Sequence, residues 1–326
     1  MRIAQCVLTH WHPDHVGGLH ELRQLSAKDV DRGQKDGIST VDGDALKIYK
    51  FPLDDSFSPS KMPPDFGITG ESRQRENQLL RSANDDEDVG AIHTLHDGQI
   101  IQVGGASESN PPASECLNLR ILHTPGHTSD HIALIIASSP ADPSEVGTIF
   151  TGDAVLGHGT AVFEDLGLYM ESLKKMKEAI QNISTGQSNT VGENDSQGVN
   201  RRKVTAFPGH GAVITDARNK IEEYIAHRAM RERGVLNVMG RTSQVQQGEA
   251  KTEDTGWTSM EIVKLVYKNV PESLHLAAQG GVLQVLKKLK REGRVQEIEG
   301  DRWRIVLDVR HESTEAERVE ESKPAL

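Results

Sequence analysis

At 326 residues, with 36% hydrophobic residues and a mean hydropathy of −0.51, the chain is long enough for one large domain and one small one, each with a buried core. Its formal net charge of −11 argues against general electrostatic attraction to nucleic acid or to an anionic membrane. No apolar run approaches membrane-spanning length, and Cys6 and Cys116 form no CxxC pair, so a cytoplasmic protein with reduced thiols is expected, with a mitochondrial location left open.

The first stretch, "RIAQCVL", reads as a buried strand, and "GGLHELRQL" (17–25) as the start of a helix after a glycine turn. "ALKIYKF" (45–51) alternates like a strand, while 54–90, with "SPSKMPPD" and "ANDDEDVG", reads as a polar insertion. The Asp97–Gly98 turn joins two short strand candidates, "AIHTL" and "QIIQV". "LNLRIL" (117–122), "IALIIA" (132–137) and "GTIF" (147–150) follow as strands. Leu166, Met170, Leu173, Met176 and Ile180 recur at helical spacing, so one face of that helix meets a core. Residues 184–202 are rich in Ser, Gly and Asn and read as a second polar insertion; "KVTAF" then returns to strand. A long amphipathic helix is expected over 215–239, capped by Thr215 or Asp216.

The alternation of strands and amphipathic helices predicts a layered α/β domain over 1–239. A polar linker (240–256) separates it from a small unit at 257–308, and 309–326 reads as a disordered tail. In the small unit, "TSME" (258–261) is a capping box opening a helix to Tyr267. Pro271 starts a second helix, Gly280 and Gly281 break it, and "VLQVLKKLKREG" forms a third. "RVQEIEGDRWRIV" alternates around a turn at Gly300–Asp301, which completes a winged-helix-like pattern.

The chemistry-bearing residues cluster at strand ends. "THWHPDH" (9–15) holds His10, His12, Asp14 and His15 directly after the first strand, where a loop could turn alternate side chains toward two points. His127 follows "LNLRIL", Asp153 follows "GTIF", and His210 follows "KVTAF", each beside a glycine-containing turn. Imidazole nitrogens and carboxylate oxygens are donors suited to zinc and similar borderline metals. One HxH pair alone is better read as ordinary exposed or hydrogen-bonded histidines. Four strand-end segments supplying seven such donors is hard to reach by chance.

The order HxHxDH, PGHT, GD, PGHG resembles the metallo-β-lactamase superfamily. The stretches "LTHWHPDHVGG", "HTPGHTSDHIAL", "LGHGTAVFEDL" and "FPGHGAVI" are similar to its branch containing β-lactamase-like protein 2 and fungal polyketide carrier-protein thioesterases. The resemblance implies an αββα sandwich followed by the winged-helix-like unit. Since only "MRIAQCVL" precedes the HxHxDH motif, an N-terminally truncated sandwich is expected. It also implies two Zn²⁺ ions: His10, His12 and His127 on one, Asp14, His15 and His210 on the other, with Asp153 bridging and Asp14 also orienting a metal-bound hydroxide. The implied activity is a hydrolase acting on acyl thioesters of secondary metabolism, with a small-molecule or carrier-protein-bound acyl substrate. The alternatives are a single-stranded RNA endoribonuclease, or an inactive metal-binding or scaffold protein; no membrane partner is implied, and a homodimer is compatible.

Asp130 and His131 are expected to hydrogen-bond behind the ligands. His158 and Thr160 are candidates to line the substrate cleft, against the equal alternative of a plain turn before the next helix. Lys287, Lys288, Lys290 and Arg291 form a basic stretch that could grip phosphates, but Glu292, Glu297, Glu299 and Asp301 dilute it, and a solvated face is the favoured reading.

Overall fold

The computed structural model describes residues 3–25, 46–53, 92–103, 116–185, 203–240 and 256–306. The insertion at 54–90, residues 186–202 of the second insertion, 241–255 of the linker and the 309–326 tail lie outside them. The chain divides into two compact units, Met1–His227 and Arg228–Leu326.

Period-two alternation decides the layering of the first unit. β1 (Gln5–Leu8) sends Cys6 and Leu8 to one face, where they join Val16, Leu19, Leu22, Leu46 and Ile48. Residues 19–25 are helical and supply Leu19 and Leu22, so a helix covers that face. Val7 points the other way, with Tyr49 and Phe51, into a cluster of Leu95, Ile101, Ile121, Ile132 and Leu134. That second cluster is the seam between two sheets.

The first sheet is β1, β2 (Lys47–Lys50) and β3 (Ile92–Thr94), all parallel, so β1 finds its hydrogen-bonding partner downstream in β2. The second sheet runs β4 (Ile100–Val103), β5 (Leu117–His123), β6 (Ile132–Ser138), β7 (Ile149–Gly152), β8 (Ala206–Pro208). α1 is the single turn Pro13–Val16, and α2 (Leu166–Thr185) packs against β6. The α2 residues Leu166, Met170, Leu173, Met176 and Ile180 are all buried, which is the face expected from their spacing, and Tyr169 is buried beside them. Helix, sheet, sheet, helix is an αββα sandwich. α3 (Ala217–Met239) follows, with Asp216 Oδ1 accepting the Asn219 amide at 3.1 Å as its cap.

The Asp97–Gly98 turn does not make a hairpin. β3 pairs with β2 and β4 with β5, so the turn carries the chain from one sheet to the other. Turn chemistry fixes the local reversal, but strand partners are chosen by the seam.

In the second unit a Thr258–Glu261 capping box opens α4 (Ser259–Val266). Expected breakers at Gly280 and Gly281 do not interrupt α5, which runs continuously over His275–Arg291 after a short 3₁₀ turn at Glu272–Leu274. Each helical glycine costs about 1 kcal/mol relative to alanine. Burying Val282, Val285, Leu286 and Leu289 on the same helix returns about 1.5–3 kcal/mol per side chain, so the helix survives. β9 (Trp257–Thr258), β10 (Val295–Glu297) and β11 (Arg302–Ile305) form an antiparallel sheet ordered β10-β11-β9. Two of the basic residues of α5 are ion-paired: Lys288 meets Glu232 at 2.7 Å and Glu292 at 2.6 Å, and Lys290 meets Glu297 at 2.6 Å. Among the described residues no helix is long and apolar enough to cross a membrane.

Candidate metal centre

Pro13 organises the HxHxDH segment. The residue before a proline is driven to extended backbone, and His12 has φ −60° and ψ 144°. In extended chain the i and i+2 side chains share a side, so His10 and His12 face together while Trp11, 1% exposed, is buried between them in sequence. Pro13 then starts α1 with its preset φ. Asp14 and His15 therefore sit on a helical turn, not on the irregular loop expected from the sequence, and the turn swings them toward a second point.

Glycines bring the remaining groups in. Gly126 has φ +127°, and a Cβ there would collide with the Tyr169 backbone of α2. The His127 loop can lie against α2 only because that atom is missing. A Cβ on Gly209 would run into Asp153 Oδ1 and stand 3.0 Å from the His15 ring, so this glycine leaves room for the centre itself.

The structure gathers all seven residues into two sets: His10, His12, His127 and Asp153, then Asp14, His15 and His210. His10 Nε2, His12 Nδ1 and His127 Nε2 form a triangle with sides of 3.0, 3.0 and 3.2 Å. Each nitrogen has one lone pair or one hydrogen, so three of them facing inward cannot all be satisfied by one another. Three lone pairs aimed at a shared cation can be. Tetrahedral bonds of about 2.0–2.1 Å would space the nitrogens by about 3.3 Å, close to what is seen. Asp153 Oδ2 lies between the sets, 3.7 Å from His127 Nε2 and 3.9 Å from His10 Nε2 on one side, and 3.5 Å from both His15 Nε2 and His210 Nε2 on the other. Its Oδ1 is buried without a hydrogen bond. In the second set His210 Nε2 is 3.0 Å from Asp14 Oδ2 and 3.2 Å from His15 Nε2. The donor chemistry of each set is that of a group that could hold a metal ion.

Outer partners fix the rings. His127 Nδ1 donates to the Val162 carbonyl at 2.8 Å, leaving its Nε2 as the lone-pair nitrogen. The Thr9 hydroxyl lies 3.1 Å from His10 Nδ1 and 3.4 Å from His15 Nδ1, one side chain touching a ring of each set. His131 is fully buried; its Nδ1 lies 3.1 Å from the Thr124 carbonyl and its Nε2 accepts the Asp153 amide at 3.1 Å. His131 thus holds the residue between the sets. Asp130 bonds Lys50 and Thr128 and touches no member of the two sets by hydrogen bond. His158 and Thr160 are exposed and lie outside both sets. Their loop is tied to the His210 segment by the Gly157 amide donating to the His210 carbonyl at 2.9 Å, and to α3 through the Tyr224 hydroxyl.

Burial sets the electrostatics. It drives His10 far below the ordinary imidazole value, and His12 down to about 4, with His127 adding repulsion. Burial also lowers His127, and lowers His131 strongly. These imidazoles are neutral at pH 7 and keep their lone pairs. Burial pulls His15 down too, but the Asp153 and Asp14 carboxylates outweigh it and raise its pKa. Burial would raise Asp153; His15 and the surrounding imidazoles hold it below its usual value. The first set is buried throughout, with His12 9% exposed, whereas Asp14 is exposed and His15 and His210 are half-buried. The second set is the side open to solvent.

Thr9, Thr124, Lys50 and Tyr224 were not singled out from the sequence. Thr9 adjoins the HxH pair, and Lys50 stands in register with buried Ile48, a signal that it needs a partner. Tyr224 and Thr124 carried no comparable mark.

The chain matches the family model of the metallo-β-lactamase superfamily over residues 3–101 and that of the β-lactamase-associated winged helix domain over 258–303. It is 31% identical to a β-lactamase-like protein 2 homolog of Drosophila melanogaster, across 90% of this chain and 70% of that protein. It is 30% identical to the lactamase-like protein nscB of Aspergillus fumigatus, across 92% of this chain and 64% of that one. In fold it is similar to a β-lactamase domain protein from Burkholderia ambifaria, with a TM-score of 0.51 at 16% identity, covering 94% of this chain and 75% of the other. The chain belongs to the metallo-β-lactamase superfamily, whose members are generally hydrolases, and carries the winged helix domain associated with it.

Proposed function

We propose that the chain is a binuclear zinc hydrolase acting on acyl thioesters, either small-molecule or carrier-protein-bound. The observation that carries this reading is the convergence of seven donors in two sets with Asp153 Oδ2 between them. His10, His12 and His127 would hold one ion, Asp14, His15 and His210 the other, and Asp153 both. Bound there, the ions supply Lewis acidity, making water nucleophilic near neutral pH and polarising the acyl oxygen.

The protein's own groups do the rest. The neutral buried imidazoles offer lone pairs without first losing protons. Val162 and Thr9 keep His127, His10 and His15 in orientation, and His131 keeps Asp153 from swinging away. The exposed Asp14 carboxylate is placed to take the proton of the attacking water and return it to the departing thiolate. No serine or cysteine nucleophile is required. A thioester is favoured over single-stranded RNA because RNA binding needs several lysine or arginine contacts to phosphate. The net charge is −11, and Lys288 and Lys290 of α5 are already ion-paired.

The test is metal analysis of the full chain together with turnover of an acyl-thioester panel and a labelled single-stranded RNA. About two zinc ions per chain and thiol release are expected, with Asp14→Ala lowering turnover about 10²–10⁴-fold. Less than one zinc per chain, with neither substrate turned over, would leave a metal-poor scaffold protein instead. Cleavage of the RNA and none of the thioesters would replace the substrate class.

A further inference from the structure

We infer that Lys50 is a positioning residue for the three-histidine half of the centre, acting through a buried ion pair with Asp130. This rests on the reading that His10, His12 and His127 hold a metal ion. Lys50 is 6% and Asp130 1% exposed, and Lys50 Nζ donates to Asp130 Oδ2 at 2.6 Å and to the Phe51 carbonyl at 3.1 Å. Asp130 Oδ1 accepts from the fully buried Thr128 hydroxyl at 2.8 Å. Both carboxylate oxygens are therefore engaged, one by the end of β2 and one by the residue that follows His127.

The grip is doubled next door. Phe51 stacks on the His123 ring at 4.0 Å, and His123 Nε2 donates to the Ser129 carbonyl at 2.9 Å. Two successive residues at the end of the first sheet thus hold the 123–131 segment at two points. That segment joins β5 to β6 of the second sheet and carries His127 at its tip. Asp130 also precedes His131, whose ring holds the Asp153 amide. A shift of Asp130 would move a proposed ligand on one side and the support of another on the other. As a stability device the pair is a poor choice, since a buried ion pair is commonly matched or bettered by apolar residues of similar volume. Fixed geometry at the adjoining metal set is what a directional, fully bonded pair supplies.

The test compares the full chain with Lys50→Met, Lys50→Arg and the double variant Lys50→Met/Asp130→Leu. Zinc and cobalt(II) affinities are read by competition with a chromophoric chelator, and folding by circular dichroism and thermal melting. The expected result is a first metal ion bound about 10-fold more weakly in Lys50→Met, at the low end of the cost of losing a ligand's own outer partner, because Asp130 acts on His127 and His131 only through the backbone of their segment. Lys50→Arg should recover part of it. The double variant, which leaves no unpaired buried charge, should fold cooperatively and still bind the metal weakly. It decides the matter if Lys50→Met alone does not fold. A folded double variant with the original affinity overturns the inference, as does a double variant that cannot fold, because the pair would then serve the fold and not the site. A starting chain that binds neither ion overturns the metal reading itself and the inference with it; full binding by the starting chain separates the two failures.

Discussion

Acidifying the metal-free chain from about pH 7 to about pH 5.5 is expected to destabilise it. In the unfolded chain His12 titrates near its ordinary value of 6.5, whereas in the fold burial, with help from His127, pushes it down to about 4. Between those values the unfolded state binds a proton that the folded state refuses, so stability rises with pH there and falls on acidification. The contribution of His12 is complete above pH 6.5 and drains away as the pH drops toward 4. At about 1.4 kcal/mol per pH unit, His12 alone accounts for about 1 kcal/mol over the interval. His10, His127 and His131 are depressed for the same reason and act in the same direction. His15 opposes them: its pKa is raised, so its contribution is present at low pH and lost as the pH climbs through its folded value. Asp153 is held below 3.8 and changes only under more acid conditions. Four groups against one leave a net loss. Urea unfolding of chelator-treated protein, followed by tryptophan fluorescence at several pH values, should show the midpoint falling steadily, by at least the share of His12. A midpoint that stays level or rises on acidification would refute the account of neutral buried imidazoles.

Gly152→Ala tests the turn that delivers Asp153. Gly152 has φ +49°, and the new Cβ would stand 2.6 Å from His131 Nε2 and 3.3 Å from Thr9 Cβ. Left-handed backbone alone costs about 1–2 kcal/mol, so a loss of about 2 kcal/mol or more in urea unfolding is expected, with reduced zinc uptake; a change under about 0.5 kcal/mol would contradict it. Leu173→Ala in α2, at a fully buried position, should cost about 2–5 kcal/mol while leaving the zinc content of the folded fraction intact. Leu168→Ala on the exposed face of the same helix is its control and should change stability by no more than about 0.5 kcal/mol.

That seven potential donors lie together was legible because few residue types carry the atoms a metal ion would take. Their grouping at strand ends could be read from hydropathy alone. The α2 face and the Thr258 capping box were legible for a similar reason, since their spacing is a local rule. What the sequence did not disclose depends on partners distant in the chain. Asp97–Gly98 looked like a hairpin turn because nothing local says that β3 belongs to one sheet and β4 to another. Gly280 and Gly281 looked like a break because their cost is local while the burial that outweighs it is not. Lys50 reaches Asp130 across 80 residues. The turn at Pro13 was missed although its cause, a proline with preset φ, stands in the motif.

The two sets differ in a way that bears on their work. His10, His12 and His127 are all buried, burial depresses each of them, and all three rings are neutral at pH 7. On the proposed reading, a metal ion taken up there would have no charged imidazole to deprotonate. Asp14 is exposed, His210 is half-exposed, and His15 is held toward its protonated form by two carboxylates. On the proposed reading an ion entering the second set would compete with protonation of His15, whose pKa the carboxylates raise, and with water, so it would bind second and more weakly. On the same reading that openness would suit the substrate, since a bulky acyl group would approach from the solvent side. The buried set would then anchor, the open set would meet the substrate, and Asp153, held by His131 from behind, would keep the distance between them fixed while the chemistry runs.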